Sequence, residues 1–320
     1  MKKLKLYSFH KNIPPDRFDA HNTQRLITAL SSTYSVEWMD LEGDGSFMYH
    51  GVPIDHGSIL IFELEDTGDF KIYDFGDSPR TTVKFVNVSN FKGAAIGQYN
   101  PALWNTIVQD PTLRSKIKPS VYPETYWHFG EVNYNAAYEY RQQIILDERL
   151  YWRGSMYNVN VPSEYLGVRR VLEILPTVLQ ESEFYFGNFP IPFESYIAES
   201  MQFKLALSCG GGGGYICGDF CFRDIELFGL GVPVLRPRYV VETVDPLIPD
   251  YHYISVDADF TDEFKYKEPS ILATKLAQRY KEVVKNTEYL EEVAKNARNW
   301  YIKNITAPNI TSTILTALEL

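Results

Sequence analysis

The chain has 320 residues, 45% of them hydrophobic, which allows a sizeable core and makes two domains the better expectation. Its net charge is −10. Residues 1–145 carry 14 basic against 17 acidic side chains and the remainder 17 against 24, so neither half offers a broad electrostatic footprint for nucleic acid.

Three cysteines, Cys209, Cys217 and Cys221, are too few for a disulfide framework, and no second Cys or His pair completes a zinc site. They read as thiols in a reducing compartment. No apolar run approaches the ~20 residues that cross a bilayer, and the short, polar N-terminus lacks a signal-peptide pattern. A cytoplasmic location is expected.

Along the first half, Leu4 to Phe9 alternates as a strand should. A helix follows over Arg17 to Ser31, with Leu26, Ile27 and Leu30 on its apolar face, and then a strand over Tyr34 to Met39. Ser58 to Leu64 is nearly continuous in apolar residues, the pattern of a buried parallel strand. Phe70 to Phe75 and Thr82 to Val88 predict further strands. Ala94 to Glu131, rich in Pro, Tyr and Trp, shows no period and predicts irregular connections. A helix over Tyr134 to Ile144 leads to a boundary near Asp147, giving domains 1–147 and 148–320.

The second half alternates more clearly. Leu150 to Arg153 predicts a strand, Pro162 to Gln180 a helix interrupted by Pro176, and Phe184 to Phe186 a strand. Phe193 to Phe203 predicts a helix, Leu205 to Ser208 a strand, and Val232 to Leu235 and His252 to Val256 two more. Two helices close the pattern, one capped by Ser270 and running to Lys285, one capped by Thr287 and running to Tyr301. Strands and helices at this spacing mean a parallel sheet covered on both faces.

The segment Lys204 to Arg238 concentrates the chemistry. Its strand runs into five glycines, Gly210 to Gly214, then a short helix carrying Arg223 and Glu226 on one face, then Gly229 and Gly231 and the next strand. The glycines lack the Lys-Ser or Lys-Thr of a phosphate-binding P-loop and the spacing of a dinucleotide fold. They leave backbone N–H groups of Gly212, Gly213 and Gly214 able to approach a phosphate. Arg223 could grip phosphate oxygens in a fork, and Glu226 could accept the two hydroxyl hydrogens of a ribose. Arg153, Gly154 and Ser155 end a neighbouring strand at the same edge. A cation beside an anion suits a ligand with a phosphate end and a hydroxyl-rich end, as in a sugar nucleotide. Two residues have general-base chemistry: His10, after the first strand, and Asp66, after the most apolar strand of the first domain.

Phe222 to Leu235, FRDIELFGLGVPVL, resembles the donor-site segment of glycosyltransferases with the GT-B architecture, Glu226 matching its acidic position and Gly231-Val232-Pro233-Val234 its turn. Tyr151 to Ser155, YWRGS, resembles the W-R-G-S of CAP10-like transferases, and the order Lys204, Gly210, Arg223 is similar to that of CAP10-like and exostosin-like enzymes.

The resemblance implies an α/β protein of two Rossmann-like domains facing across a cleft: 1–147 for the acceptor, 148–320 for the donor. It implies a metal-independent hexosyl- or pentosyltransferase that uses a nucleotide sugar and a glycan or other hydroxyl acceptor, with no cofactor. Arg153, Gly154, Ser155, Gly212, Gly213, Gly214, Arg223 and Glu226 would hold the donor. Asp66 or His10 would deprotonate the acceptor if the reaction inverts. The DxD motif that holds a metal in the other main class of sugar transferases is absent.

Two alternatives stand beside this reading. One is transfer to a hydroxymethylated DNA base, against which the acidic balance of both halves argues. The other is a sugar-nucleotide epimerase or a non-catalytic nucleotide-sugar-binding protein.

Overall fold

A computed structural model of the chain describes residues 1–8, 18–40, 48–54, 59–75, 80–121, 130–154, 166–189, 191–210, 217–262 and 264–320. The chain forms two compact α/β units, Met1–His128 with Val241–Pro246 and Asn304–Leu320, and Phe129–Val240 with Leu247–Lys303.

The first unit holds β1 (Lys2–Ser8), α1 (Phe18–Leu30), β2 (Tyr34–Asp40), the hairpin strands β3 (Met48–Tyr49) and β4 (Val52–Pro53), β5 (Ile59–Leu64), β6 (Phe70–Asp74), α2 (Arg80–Phe85), β7 (Phe91–Ile96), α3 (Pro101–Ile107), α4 (Pro111–Arg114) and β8 (Ile117–Pro119). The second holds α5 (Gly130–Arg141), β9 (Asp147–Arg153), α6 (Leu166–Val178), β10 (Phe184–Gly187), α7 (Phe193–Ser200), β11 (Phe203–Leu207), α8 (Phe222–Leu230), β12 (Val234–Pro237), β13 (Ile254–Val256), α9 (Pro269–Val283) and α10 (Thr287–Asn304). A last helix, α11 (Ala307–Leu318), belongs to the first unit.

This division departs from the expected boundary at Asp147. Helix α5 packs on α8 and so joins the second unit, while α11 packs on β6, β7 and β8 and closes the first. Ile310, Ile314 and Leu318, four residues apart on one helical face, are buried there.

The first sheet has the order β2-β1-β5-β6-β7-β8. Strand β5 lies where the apolar run places it, but it pairs antiparallel with both β1 and β6, not parallel. All other pairs in this sheet are parallel. Two further expectations change. The β-branched run expected as a strand over Thr82 to Val88 begins inside helix α2, where the Thr82 hydroxyl donates to the Asp74 carboxylate at 2.5 Å; a buried tertiary contact overrides a weak local preference. The segment expected to be irregular contains β7, α3, α4 and β8. Its helices start at Asn100-Pro101 and Asp110-Pro111, and each cap side chain accepts a backbone N–H, from Leu103 at 3.0 Å and Thr112 at 2.7 Å.

The second sheet is wholly parallel, with order β10-β9-β11-β12-β13. Counted within the unit this is the 2-1-3-4-5 order of a doubly wound fold, whose direction of winding reverses between β9 and β11. Leu150, Trp152, Leu205, Leu207, Leu235 and Ile254 of the strands share one core with α6 and α9. Helix α9 begins at Glu268 with Pro269 in its first position rather than at the expected Ser270 cap. Asn286, just before Thr287, accepts the Tyr289 N–H at the start of α10. At the amino edge of the sheet, Arg141 is buried and donates to the carbonyls of Met201 and Gly231, at the ends of α7 and α8, at 2.8 and 3.1 Å.

Glu148 ties this sheet together. Its carboxylate accepts from Lys204 at 2.8 Å and from Lys285. These two ammonium groups hold it below the ordinary 4.5, at about 2. A lowered carboxyl adds stability above its unfolded pKa that is lost as pH falls through the folded one. Part of the second unit's acid sensitivity therefore falls between pH 4.5 and about 2, and E148Q removes that part in a pH series of melting temperatures.

Gly231 ends α8 in the left-handed region at φ 67°, and a Cβ there would lie 2.5 Å from the Tyr138 ring. Gly231→Ala is expected to cost about 1–3 kcal/mol, measured by denaturant unfolding.

Candidate functional site

In an open α/β sheet, ligands bind outside the carboxyl ends of the strands where the winding reverses. In the second unit that point lies between the ends of β9, at Arg153 and Gly154, and β11, where Cys209 and Gly210 lead into the glycine run. The structure therefore brings Arg153, Gly154, Gly210 and the start of α8 to one place.

The Arg223 Nη2 donates to the Arg153 carbonyl at 2.7 Å. Its guanidinium stands 5.5 Å from the centre of the Trp152 ring. A Cβ on Gly154 would come within 2.8 Å of that Nη2 and 3.0 Å of the Trp152 ring, so a side chain there would push the arginine from its place at the strand end. The Arg223 Nε is buried and has no hydrogen-bond partner among the described residues. Burial alone would lower this arginine's pKa, but the groups around it, Glu226 and Asp224 among them, more than offset that, and it stays charged. A charged fork with an unfilled N–H sits at the switch point.

Residue by residue, the other candidates fare differently. Arg153 lies at the crevice, yet its guanidinium is taken. Nε and Nη2 donate to the Glu199 carboxylate at 2.5 and 2.7 Å, Nη1 to the Phe189 carbonyl at 3.0 Å, and Nη2 also to the Tyr185 hydroxyl at 2.9 Å. Arg153 thus anchors the crevice wall. Glu226 is buried in α8, 6% exposed. Ser155, Gly212, Gly213, Gly214 and His10 lie outside the described residues.

Asp66 is corrected. It is exposed in the turn between β5 and β6. Because β5 runs antiparallel to β1, with Leu64 opposite Leu4, this turn lies at the amino edge of the parallel strands. Asp66 is therefore at the opposite edge from the carboxyl ends where a ligand of this sheet would bind.

The sequence reading passed over the pair that sets α8 in place. Arg236, at the end of β12, donates through Nη1 to the Asp224 carboxylate, and both side chains are fully buried. Nη2 donates to the Asp219 carbonyl at 2.6 Å, and the guanidinium carbon lies 3.4 Å from the centre of the Tyr239 ring. Asp224 also accepts the Cys221 N–H at 2.9 Å, completing a capping box. The spacing of Cys221 and Asp224, cap and acid three apart before an apolar run, was the available signal. Burial alone would lower the Arg236 pKa; the Asp224 carboxylate more than offsets it.

Gly210, at φ 94°, has no room for a side chain against the Asp219 carboxylate. Burial pushes the Cys209 thiol up to about 12 and Cys217 up to about 11, and raises Cys221 as well. These thiols stay protonated and are poor nucleophiles or metal ligands. Among the described residues no group of three or more His, Cys, Asp or Glu could hold a metal ion, and no helix is long and apolar enough to cross a membrane.

No family model matches the chain, and no curated protein matches it. Among solved structures, a glycosyltransferase from Rickettsia africae is 11% identical over 76% of this chain and 67% of its own, with a TM-score of 0.46. HepE of Anabaena, in complex with UDP and glucose, is 12% identical over 77% of this chain and 70% of its own, TM-score 0.47. Sucrose-phosphate synthase from Thermosynechococcus elongatus is 12% identical over 77% and 66%, TM-score 0.45. At this level of likeness nothing of their activities is transferred to this chain.

Removing one partner of a buried pair leaves the other charge uncompensated, at a cost of about 3–5 kcal/mol. Asp224→Leu is expected to lose that much in denaturant unfolding. The double variant Asp224→Leu with Arg236→Met should lose less than the single one, because no lone charge remains buried.

Proposed function

We propose that the chain is a nucleotide-sugar-dependent glycosyltransferase. The observation that carries this reading is Arg223, a charged guanidinium with an unfilled buried N–H, laid across Gly154 at the reversal point of a parallel sheet beside the glycine run. A diphosphate needs that: a fixed cation and backbone N–H groups at a strand-to-helix turn. The likeness of Phe222 to Leu235 to the GT-B donor segment supports the sugar nucleotide over other phosphate ligands. The W-R-G-S of Tyr151 to Ser155 supports it from the neighbouring strand.

In this reading Arg223 and the glycine-loop amides of Gly212 to Gly214 hold the diphosphate. As the glycosidic bond breaks, negative charge grows on the leaving phosphate, and a preorganised cation stabilises it more in the transition state than in the ground state. Arg153 serves through its backbone and its bond to Glu199, which fix the wall on which Arg223 rests. Glu226 keeps the ribose role that the resemblance gives it. The reaction is metal-independent in this proposal, so turnover should survive a chelator, and loss on chelation with recovery on adding Mn²⁺ or Mg²⁺ would refute that. The acceptor is a hydroxyl compound, and with Asp66 on the far edge of its sheet it is no longer a candidate base.

The deciding experiment offers UDP-, GDP- and ADP-sugars and measures nucleotide release with and without glycan acceptors. Acceptor-dependent release supports transfer; conversion of the sugar nucleotide without acceptor points to an epimerase; no binding of any of them sinks the reading. Arg223→Ala should lower kcat as well as donor affinity, and Arg223→Lys should recover little of it, since an ammonium cannot reproduce the fork. Glu226→Gln should act mainly on KM, by about tenfold or more.

A further inference from the structure

Beside this crevice the free edge of β10 borders a cavity of about 580 Å³, within the range of about 300–1,000 Å³ of ligand pockets. Among the described residues β10 pairs only with β9. The cavity is walled by Phe184, Tyr185, Phe186 and Phe189, with Asn188 between them. Phe189 is 70% exposed, an aromatic face with little cover. The side-chain oxygen of Asn188 is buried and has no hydrogen-bond partner among the described residues. Phe184 belongs to the core, Phe186 stacks on Trp152 and Tyr185 lies against Arg149, so Phe189 is the open face. An open aromatic face beside an unfilled polar group is suited to a ligand that is apolar on one side and hydroxylated on its rim.

Charge narrows the ligand. The two cations on the wall are already matched, Arg149 by Asp147 and Arg153 by Glu199, while Glu181 adds a negative charge. An anionic chain gains nothing there. A peptide strand fits poorly too. The carbonyls of Glu183 and Gly187 face β9, and the Phe184 N–H is spent on the Gln180 carbonyl. By alternation only Phe186 offers an outward N–H within the strand, too few for a ladder.

The groove adjoins the strand that ends at Gly154. The Gly154 N–H donates to the Gly187 carbonyl at 3.0 Å, which ties the end of β10 to the end of β9.

We infer that this groove of the second unit binds a neutral oligosaccharide, with sugar rings against Phe189 and a hydroxyl on Asn188. The inference goes beyond the glycosyltransferase reading and does not rest on it.

The test titrates the full chain with maltohexaose, cellohexaose and chitohexaose, in wild type, Phe189→Ala and Asn188→Ala, and measures sugar-nucleotide affinity and melting temperature in the same proteins. At least one hexasaccharide should bind at millimolar concentration or below. Phe189→Ala should weaken it about tenfold and Asn188→Ala several-fold, with sugar-nucleotide affinity and melting temperature unchanged. The inference is overturned if none of the three binds wild type at millimolar concentration, or if one binds and neither variant weakens it. Hexasaccharide binding that both variants weaken, in a protein that binds no sugar nucleotide, would keep the groove and remove the glycosyltransferase reading.

Discussion

The buried pair of Asp224 and Arg236 holds three pieces of backbone in register. Arg236 ends β12, Asp224 closes the first turn of α8, and the Asp219 carbonyl belongs to the return from the glycine run. Removing two charges from water is costly, and such a pair is favourable only when its remaining donors and acceptors are filled. Here the Asp219 and Pro237 carbonyls and the Tyr239 ring meet the guanidinium, the Cys221 N–H bonds the same Asp224 oxygen as Arg236, and the other Asp224 oxygen has no hydrogen-bond partner among the described residues. The outcome is positional: the first turn of α8 starts at a set height above the sheet. Arg223, one residue before Asp224, is delivered to the strand ends as a consequence.

The two units use different solutions to similar sequence material. The second sheet is parallel throughout, so every strand end at one edge is a carboxyl end and every loop there can meet a ligand. The first sheet reverses at β5. That single antiparallel strand sends its following turn, with Asp66, to the other edge. Periodicity shows that β5 is buried and says nothing about direction, since an apolar run suits a buried strand of either sense. The strand itself was legible in the sequence; the edge it serves was not.

The same distinction holds elsewhere. Long alternating elements in the second unit were readable, and so was the convergence of Arg153, Gly154 and Arg223, because strand-loop-helix order alone places them at one edge. What a side chain does once there was not readable. Arg153 and Arg223 carry the same charge, yet Glu199 claims the first and, among the described residues, no carboxylate bonds the second. That choice depends on α7, which approaches from a distant part of the chain. Helix α2 is a case of the same kind, since Asp74 recruits Thr82 across a gap that propensity does not see. The caps at Asn100 and Asp110, each followed by proline, were visible signals in a stretch without a period.

The return of α11 to the first unit bears on the order of assembly. A ribosome finishes the whole of the second unit before it releases the helix that covers β6, β7 and β8. Until then the first sheet lacks the cover of Ile310, Ile314 and Leu318. Nascent chains with uncovered apolar sheet surface are prone to misassociate. Completion of the first core therefore waits on a helix made after the whole of the second unit, and the apolar surface of the first sheet needs shielding while that unit is synthesised.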